Sequence, residues 1–372
     1  MNLSLATRST VLSAALLLAL PFAASAQGVQ LQMIGPVNVT GISAGGKVAT
    51  GQAPGNFETF RWTAAEGVVR LGRDTAGPLD GKYSGTPSIS QDGKVIAATI
   101  IDDTGSYATE GRWTAATGWQ QLTPQPADGG QMDREDSSVW GMSGDGKVIT
   151  GLYWRPGQPG GSAHGSVWQA STGMLGLPTD GGSSRVDGAN RDGSVLVGWE
   201  EDPVTGGRRA AVWVDGERSI LADGSSGEAA AVSASGRIVA GQSYDATSQR
   251  QVATVWQWSG SAWVQRQLGV LRGTSSTGYS YATGLSDDGR IVVGFNRKHF
   301  NVFETSAFIW TEETGMVDVM DFLRARGKDL SAEFKINFLP AITGKGDVIA
   351  AVGKDVAAPF TQRSLLIKLR RP

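Results

Sequence analysis

The chain contains no cysteine, so no disulfide, thiolate ligand or cysteine nucleophile is available to it. Histidine is nearly absent: His164 and His299 are the only two in 372 residues. Transition-metal centres draw mainly on His and Cys, so no metal site and no cofactor is expected. Basic residues are not in excess, with 33 Lys and Arg against 35 Asp and Glu and a net charge of −2. Nucleic-acid binders need a cationic surface to face phosphate, so no nucleic-acid partner is expected. No nucleophile elbow between a strand and a helix is read, which leaves serine catalysis without a signature. Beyond residue 26 no stretch is long and apolar enough to span a bilayer, so no membrane insertion is expected after export.

Residues 1–26 carry the marks of a secretory signal. Arg8 supplies the charge, an apolar run covers Val11 to Ala24, and Ala24-Ser25-Ala26 is an A-x-A cleavage site. The mature chain, 27–372, is expected to be one domain that works in the periplasm or outside the cell, as a monomer. Without Arg8 its net charge becomes −3.

Glycine is abundant, at 52 residues, and tryptophan is frequent, at 12. Both fall into a repeat. GISAGGKVATG begins at Gly41, SISQDGKVIAA at Ser88, GMSGDGKVITG at Gly141 and GANRDGSVLVG at Gly188. AVSASGRIVAG follows at Ala231, GLSDDGRIVVG at Gly284 and AITGKGDVIAA at Ala341. Six of the seven copies are followed by a tryptophan segment centred on Trp62, Trp113, Trp168, Trp213, Trp256 and Trp310; the last has Lys368 instead. Each copy therefore spells four short strands: A up to the Ser, B after the Gly-bearing turn, C with the Trp, and D after the next Gly. Four strands at a period of 43 to 57 residues are a propeller blade. The fold class is all-β, a seven-bladed β-propeller of four-stranded antiparallel blades. The seventh copy runs out after strand C, and VQLQMI at Val29–Ile34 is spare, so this N-terminal strand is expected to complete the last blade and close the ring. The signature tryptophans are expected between blades, in the core.

The S-x-D-G-x-V-[IV]-x-G core, clearest at Ser286–Gly294, and the SAFIW segment at Ser306–Trp310 resemble the HAF repeats of bacterial extracellular proteins. The resemblance covers essentially the whole mature chain and implies a propeller-type fold and export. It implies no activity. The turns are also similar to the Asp-box of sialidase propellers, whose turn and Trp are placed differently. Asp287–Gly289 is similar to a calcium loop, but the ligand series of an EF-hand is missing.

A–B and C–D connections are short and uniform, whereas B–C and D–A connections are long and dissimilar. Binding residues favour variable loops on a rigid scaffold, so a site is expected on the long-loop face, near the mouth of the channel. His164, Tyr153 and His299 are the candidate catalytic residues there. Trp154, Arg155, Arg208, Arg209, Arg297, Lys298, Tyr244 and Tyr281 are the candidate ligand-binding residues. Aromatic faces stack on sugars, and Arg pairs bidentately with carboxylates, so an acidic glycan suits this set. The expectation is a propeller that binds a glycan or a protein ligand through this face. The alternative is a polysaccharide-degrading enzyme. It would be a lyase using β-elimination, or a glycoside hydrolase using two facing carboxylates among Asp102, Asp103, Glu135, Asp136, Glu200 and Glu201.

Overall fold

The computed structural model describes residues 28–55, 58–72, 85–105, 107–122, 137–155, 163–180, 182–221, 226–299 and 305–369. The signal segment, Gln27, Tyr83, Glu135 and Asp136 lie outside the described residues. Seven four-stranded antiparallel sheets form the blades of a propeller. Blades 1 to 6 each follow the chain in order, from an inner strand A to an outer strand D. In blade 7 the strands Phe334–Ile342, Val348–Asp355 and Gln362–Leu369 are joined on the outside by Val29–Gly35. The N-terminal strand thus closes the ring, with Val29 opposite Leu369 and Met33 opposite Leu365.

The repeat motif makes two separate contributions to this architecture. Its Ser and Asp build the A–B turn. In blade 2 the Ser90 hydroxyl donates to Asp92 (2.7 Å) and accepts the Val95 N–H (3.0 Å), and Asp92 accepts the Lys94 N–H (3.0 Å). Blade 3 repeats this with Ser143, Asp145, Lys147 and Val148. The same turns also bond to one another across the seams. The N–H of Ala44 donates to Gln91 O, that of Gln91 to Gly144 O, and that of Gly144 to Asn190 O. The chain of bonds continues from Arg191 N–H to Ala234 O, from Ala234 N–H to the Asp287 carboxylate, and from Asp287 N–H to Gly344 O. A collar of backbone amides therefore links consecutive blades on the short-loop face, and most motif carboxylates are spent inside their own turns.

Apolar layers fill the seams between blades. Trp213 and Trp256 are fully buried, and Trp62 and Trp310 are nearly so, as burial of large aromatic surface requires; Trp113 and Trp168 are only partly buried. Trp213 also donates its indole N–H to Pro178 O of the preceding connection (3.0 Å). In the connection from blade 6 to blade 7, a short helix, Val319–Arg324, buries Val319, Phe322 and Leu323. Asp318 caps it by accepting the Met320 N–H.

Besides their shared apolar layer, blades 7 and 1 are linked by one buried hydroxyl. Ser364 donates to Val37 O (2.6 Å) and accepts the Val39 N–H (3.0 Å), all of it buried. Ser364→Ala leaves both backbone groups without that partner. It is expected to lower stability by about 2 kcal/mol in urea unfolding, whereas an exposed serine replaced in the same way should change little.

Candidate functional site

The channel is built from the inner strands, and their geometry departs from a flat ladder at one repeated place. In blades 1, 3, 4, 5 and 6 the A–B register slips by one residue, between Val39 and Gly41, Val139 and Gly141, Val186 and Gly188, Ala229 and Ala231, and Ala282 and Gly284. Opposite each bulge stands the glycine that closes the motif: Gly51, Gly151, Gly198, Gly241 or Gly294. A Cβ at any of these would lie 1.9–2.1 Å from a strand A carbonyl oxygen. Of the two copies that end in alanine, blade 2 has only a two-residue strand A, whereas blade 7 has the same one-residue slip facing Ala351, between Phe338 and Ala341, and a second one between Ile336 and Phe338. The closing glycine is thus the partner of a bulge, and the extra residue it admits re-aims a side chain, as bulges beside functional sites do. The re-aimed residues are Thr40, Trp140, Asp187, Ala230 and Thr283, and all five line the central channel.

That channel, about 760 Å³, is lined by all seven inner strands, and its polar chemistry is concentrated on blades 3 to 6. Arg185 and Asp187 sit on strand A of blade 4, two residues apart, with the Arg185 Nε 2.6 Å from Asp187 Oδ1. The other arm of the Arg185 guanidinium reaches Glu228 on blade 5 in a short ion pair. From blade 6 the Tyr281 hydroxyl donates to the same Glu228 oxygen (3.0 Å). From blade 3 the Trp140 ring lies flat beneath the guanidinium, 3.7 Å from its carbon. Four blades thus converge on one charge-balanced cluster.

One atom of the cluster is left over. Asp187 Oδ2 is buried and has no hydrogen-bond partner. Burial pushes this carboxyl well above the usual carboxylate range; Arg185 pulls it back, and the Glu228 charge pushes it up again. Burial likewise raises the Tyr281 hydroxyl well above its ordinary value, reinforced by Glu228 and Asp187, so it serves as a donor. An orphaned buried oxygen beside a second carboxyl group and a fixed donor can bind a hydroxyl of a ligand, or exchange a proton with it.

Of the residues singled out in the sequence, Arg208 and Tyr281 belong to this cluster. Arg208 stacks on Trp199 (4.0 Å) and reaches Glu228 (3.3 Å). Arg297 lies beside it, over the rings of Tyr279 (5.4 Å) and Phe295 (5.8 Å). Arg209 is placed differently: it is held by Glu200, Asp180 and Asp202, and Arg218 shares two of those acids. This blade 4 network consumes the carboxylates that Arg209 would otherwise leave it free to seek, so Arg209 has a structural place. Tyr153 is fully buried in blade 3, packed with Met174 and Trp168. Its oxygen accepts from the Arg155 guanidinium (3.0 and 2.5 Å). His164 stands opposite Tyr153 on the next strand, ring centroids 5.8 Å apart. Trp154 and Tyr244 are exposed at the ends of B strands in blades 3 and 5. Lys298 and His299 are exposed in the B–C loop of blade 6, three blades from His164. Asp102 is buried and turned onto its own loop, where it accepts from Thr104 and the Tyr107 N–H.

Sequence reading missed Trp140, Arg185, Asp187 and Glu228. A signal for two of them was present: Trp140 and Asp187 are the residues immediately before a repeat copy, the bulge position. One string, Gly41-Ile42-Ser43-Ala44-Gly45, also spells G-x-S-x-G. It is the first A–B turn: Ser43 is buried, and its hydroxyl accepts the Val48 N–H.

No protein-family model matches the chain, and no curated protein matches it. Many solved chains match its fold. The β-propeller domain of the trilobed protease from Pyrococcus furiosus is 11% identical, with a TM-score of 0.54, covering 90% of this chain and 95% of that one. That domain is described as having an open velcro topology, whereas this ring is closed by Val29–Gly35. A prolyl endopeptidase is 12% identical, with a TM-score of 0.52 over 93% of this chain and 50% of the other. TolB from Acinetobacter baumannii is 13% identical, with a TM-score of 0.45, and the match spans 72% of this chain and 61% of TolB. At these identities the likeness is one of fold.

Proposed function

We propose that this propeller is an exported glycan-binding protein of the HAF-repeat type, working as a monomer in the periplasm or outside the cell. It takes a hydroxyl-rich, uncharged part of its ligand into the long-loop end of the central channel. The observation that carries the reading is the Trp140–Arg185–Asp187–Glu228–Tyr281 cluster with its unpartnered Asp187 Oδ2. Its arginine is already neutralised by its own acids, which favours neutral hydroxyls over the uronate carboxylates that the Arg-rich loops brought to mind. Each ligand hydroxyl both donates and accepts, and so can serve Asp187, Glu228 and Tyr281 in turn. Export rests on the signal-like residues 1–26. Among the described residues no helix is long and apolar enough to cross a membrane.

Titration of the mature chain with a panel of neutral and acidic oligosaccharides tests this. Binding of a neutral sugar that weakens about tenfold in Asp187→Asn, with the fold retained, is the expected result. If no glycan binds, or if Asp187→Asn and Trp140→Ala both bind as the parent does, the reading fails.

A second reading has one observation in its favour. Burial raises the Asp187 carboxyl well above the usual range, and Glu228 reaches the same Arg185 guanidinium; glycoside hydrolysis uses two carboxyls, one as acid and one as base or nucleophile. New reducing ends released from a bound polysaccharide, lost in Asp187→Asn, would make the protein a hydrolase.

A further inference from the structure

Between blades 7 and 1, on the long-loop face, lies a second space of about 870 Å³. It is not separate from the channel. Asn38, Phe338, Val352 and Gln362 line both. The two spaces therefore adjoin at these residues, the channel holding the polar cluster and the second space lying over the seam that the N-terminal strand closes. Each space alone has the size that encloses an ordinary small ligand, about 300–1,000 Å³. Joined, they exceed what one sugar unit fills.

The wall that connects them is aromatic. Tyr281, which bonds to Glu228, stacks on Phe295 (centroids 5.6 Å apart), and Phe295 meets Phe338 edge-on (5.2 Å). Phe338 lines both the channel and the seam space. The track then continues on Pro36, Pro54, Pro359 and Phe360. Phe360 is 98% exposed, an unusual position for a phenylalanine. Between these apolar surfaces stand the amides of Asn38, Gln52 and Gln362, which make no hydrogen bond among the described residues. Lys354 is the one charged residue in the described lining.

We propose that the cleft binds a linear, neutral oligosaccharide end-on: one chain end enters the channel at the Asp187–Glu228 cluster, and the following units lie along the seam groove. This rests on the glycan reading above and adds the polymer class and its direction. The chemistry favours a sugar chain over a peptide. Apolar ring faces alternating with hydroxyl rims match prolines and phenylalanines alternating with free amides. A peptide laid down as an added strand would need an open, regular sheet edge, and the inner edges that face the channel are short A strands interrupted by bulges.

The experiment uses the mature chain and three series of neutral oligosaccharides, β-1,4-gluco, α-1,4-gluco and β-1,4-N-acetylglucosamine, of two to six units each. Affinity in at least one series should rise roughly tenfold or more with length, as added units gain hydrogen bonds, and then level off. Phe360→Ala and Gln52→Ala, both in the groove and outside the core, should flatten that rise. Reducing-end-blocked and non-reducing-end-blocked hexamers should differ, because only one end can enter the channel. Equal affinity for dimer and hexamer overturns the end-on chain while leaving a glycan site in the channel. So does a rise that survives both substitutions. Binding by no series overturns the glycan reading itself, and tighter binding of a proline-rich peptide that Phe360→Ala abolishes assigns the groove to a protein partner instead.

Discussion

Gly198→Ala is expected to destabilise the protein by about 3 kcal/mol or more and to remove ligand binding with it. The new Cβ would sit 2.0 Å from the carbonyl oxygen of Arg185 and 3.0 Å from the Val186 Cα. Backbone cannot yield as a side chain tip can, so strand A of blade 4 must move. That strand carries Arg185 just before the bulge and Asp187 in it, so the cluster loses its register together with the fold its stability. Gly188→Ala is the control: on the same strand its nearest neighbours would be Ala230 O at 3.5 Å and Val197 Cγ2 at 3.6 Å, ordinary contact. It should stay within about 1 kcal/mol of the parent. Urea unfolding of the two variants decides the point; equal costs would mean that the closing glycine does not hold the bulge.

Stability is also expected to fall as pH rises through neutrality, and Glu110 is the reason. This side chain lies fully buried in blade 2, against blade 3. Ser166 donates to its Oε1 (2.7 Å), while Oε2 has no partner. Burial, opposed only by that hydrogen bond, pushes its carboxyl up to about 8. Between its ordinary 4.5 and about 8 the folded protein keeps a proton that the unfolded chain has released. The contribution is therefore fully present below pH 4.5 and lost as pH rises through the folded value, a change of about 5 kcal/mol. Asp187, raised for the same cause, acts in the same direction. Glu110→Gln keeps the shape and cannot ionise. Its stability relative to the parent should climb by about 4 kcal/mol between pH 5 and pH 9 in denaturant titrations. Parallel pH profiles for the two proteins would show that Glu110 is not buried as a neutral acid.

The division of labour within the repeat explains what could be read in advance. The turn residues act locally: Ser90 and Asp92 bond within five residues of each other, so their spacing is visible in any one copy. The tryptophans and the apolar B strands are periodic because every seam between blades needs the same filling. Ring closure followed from counting strands, since the seventh copy was one short and the N-terminus one over. The long-loop face was read from loop lengths alone, and Tyr281 and Arg208 were singled out with it.

Tyr153 and Arg209 show where that logic stopped. Both carry chemistry-bearing side chains at the edge of a long loop, and sequence cannot tell a side chain turned to the mouth from one turned into its own sheet. Tyr153 went inwards because its strand position faces the blade 3 core; Arg209 met Glu200 because the two stand opposite each other on strands B and C. Trp140 and Asp187 show the converse. They lie on inner strands, where alternation predicts burial, and only a bulge turns them to the channel.

The sequence by itself determined the blade, the number of blades and the closure, because each of these depends on contacts that recur within one period or on a simple count. Which residues share a site was decided only by the tertiary structure. Arg185, Glu228 and Tyr281 are separated by 43 and 53 residues, and nothing in their local sequence refers to the others. They meet because the ring brings equivalent levels of successive inner strands around a common axis, where the channel is narrow enough for one guanidinium to bridge two blades.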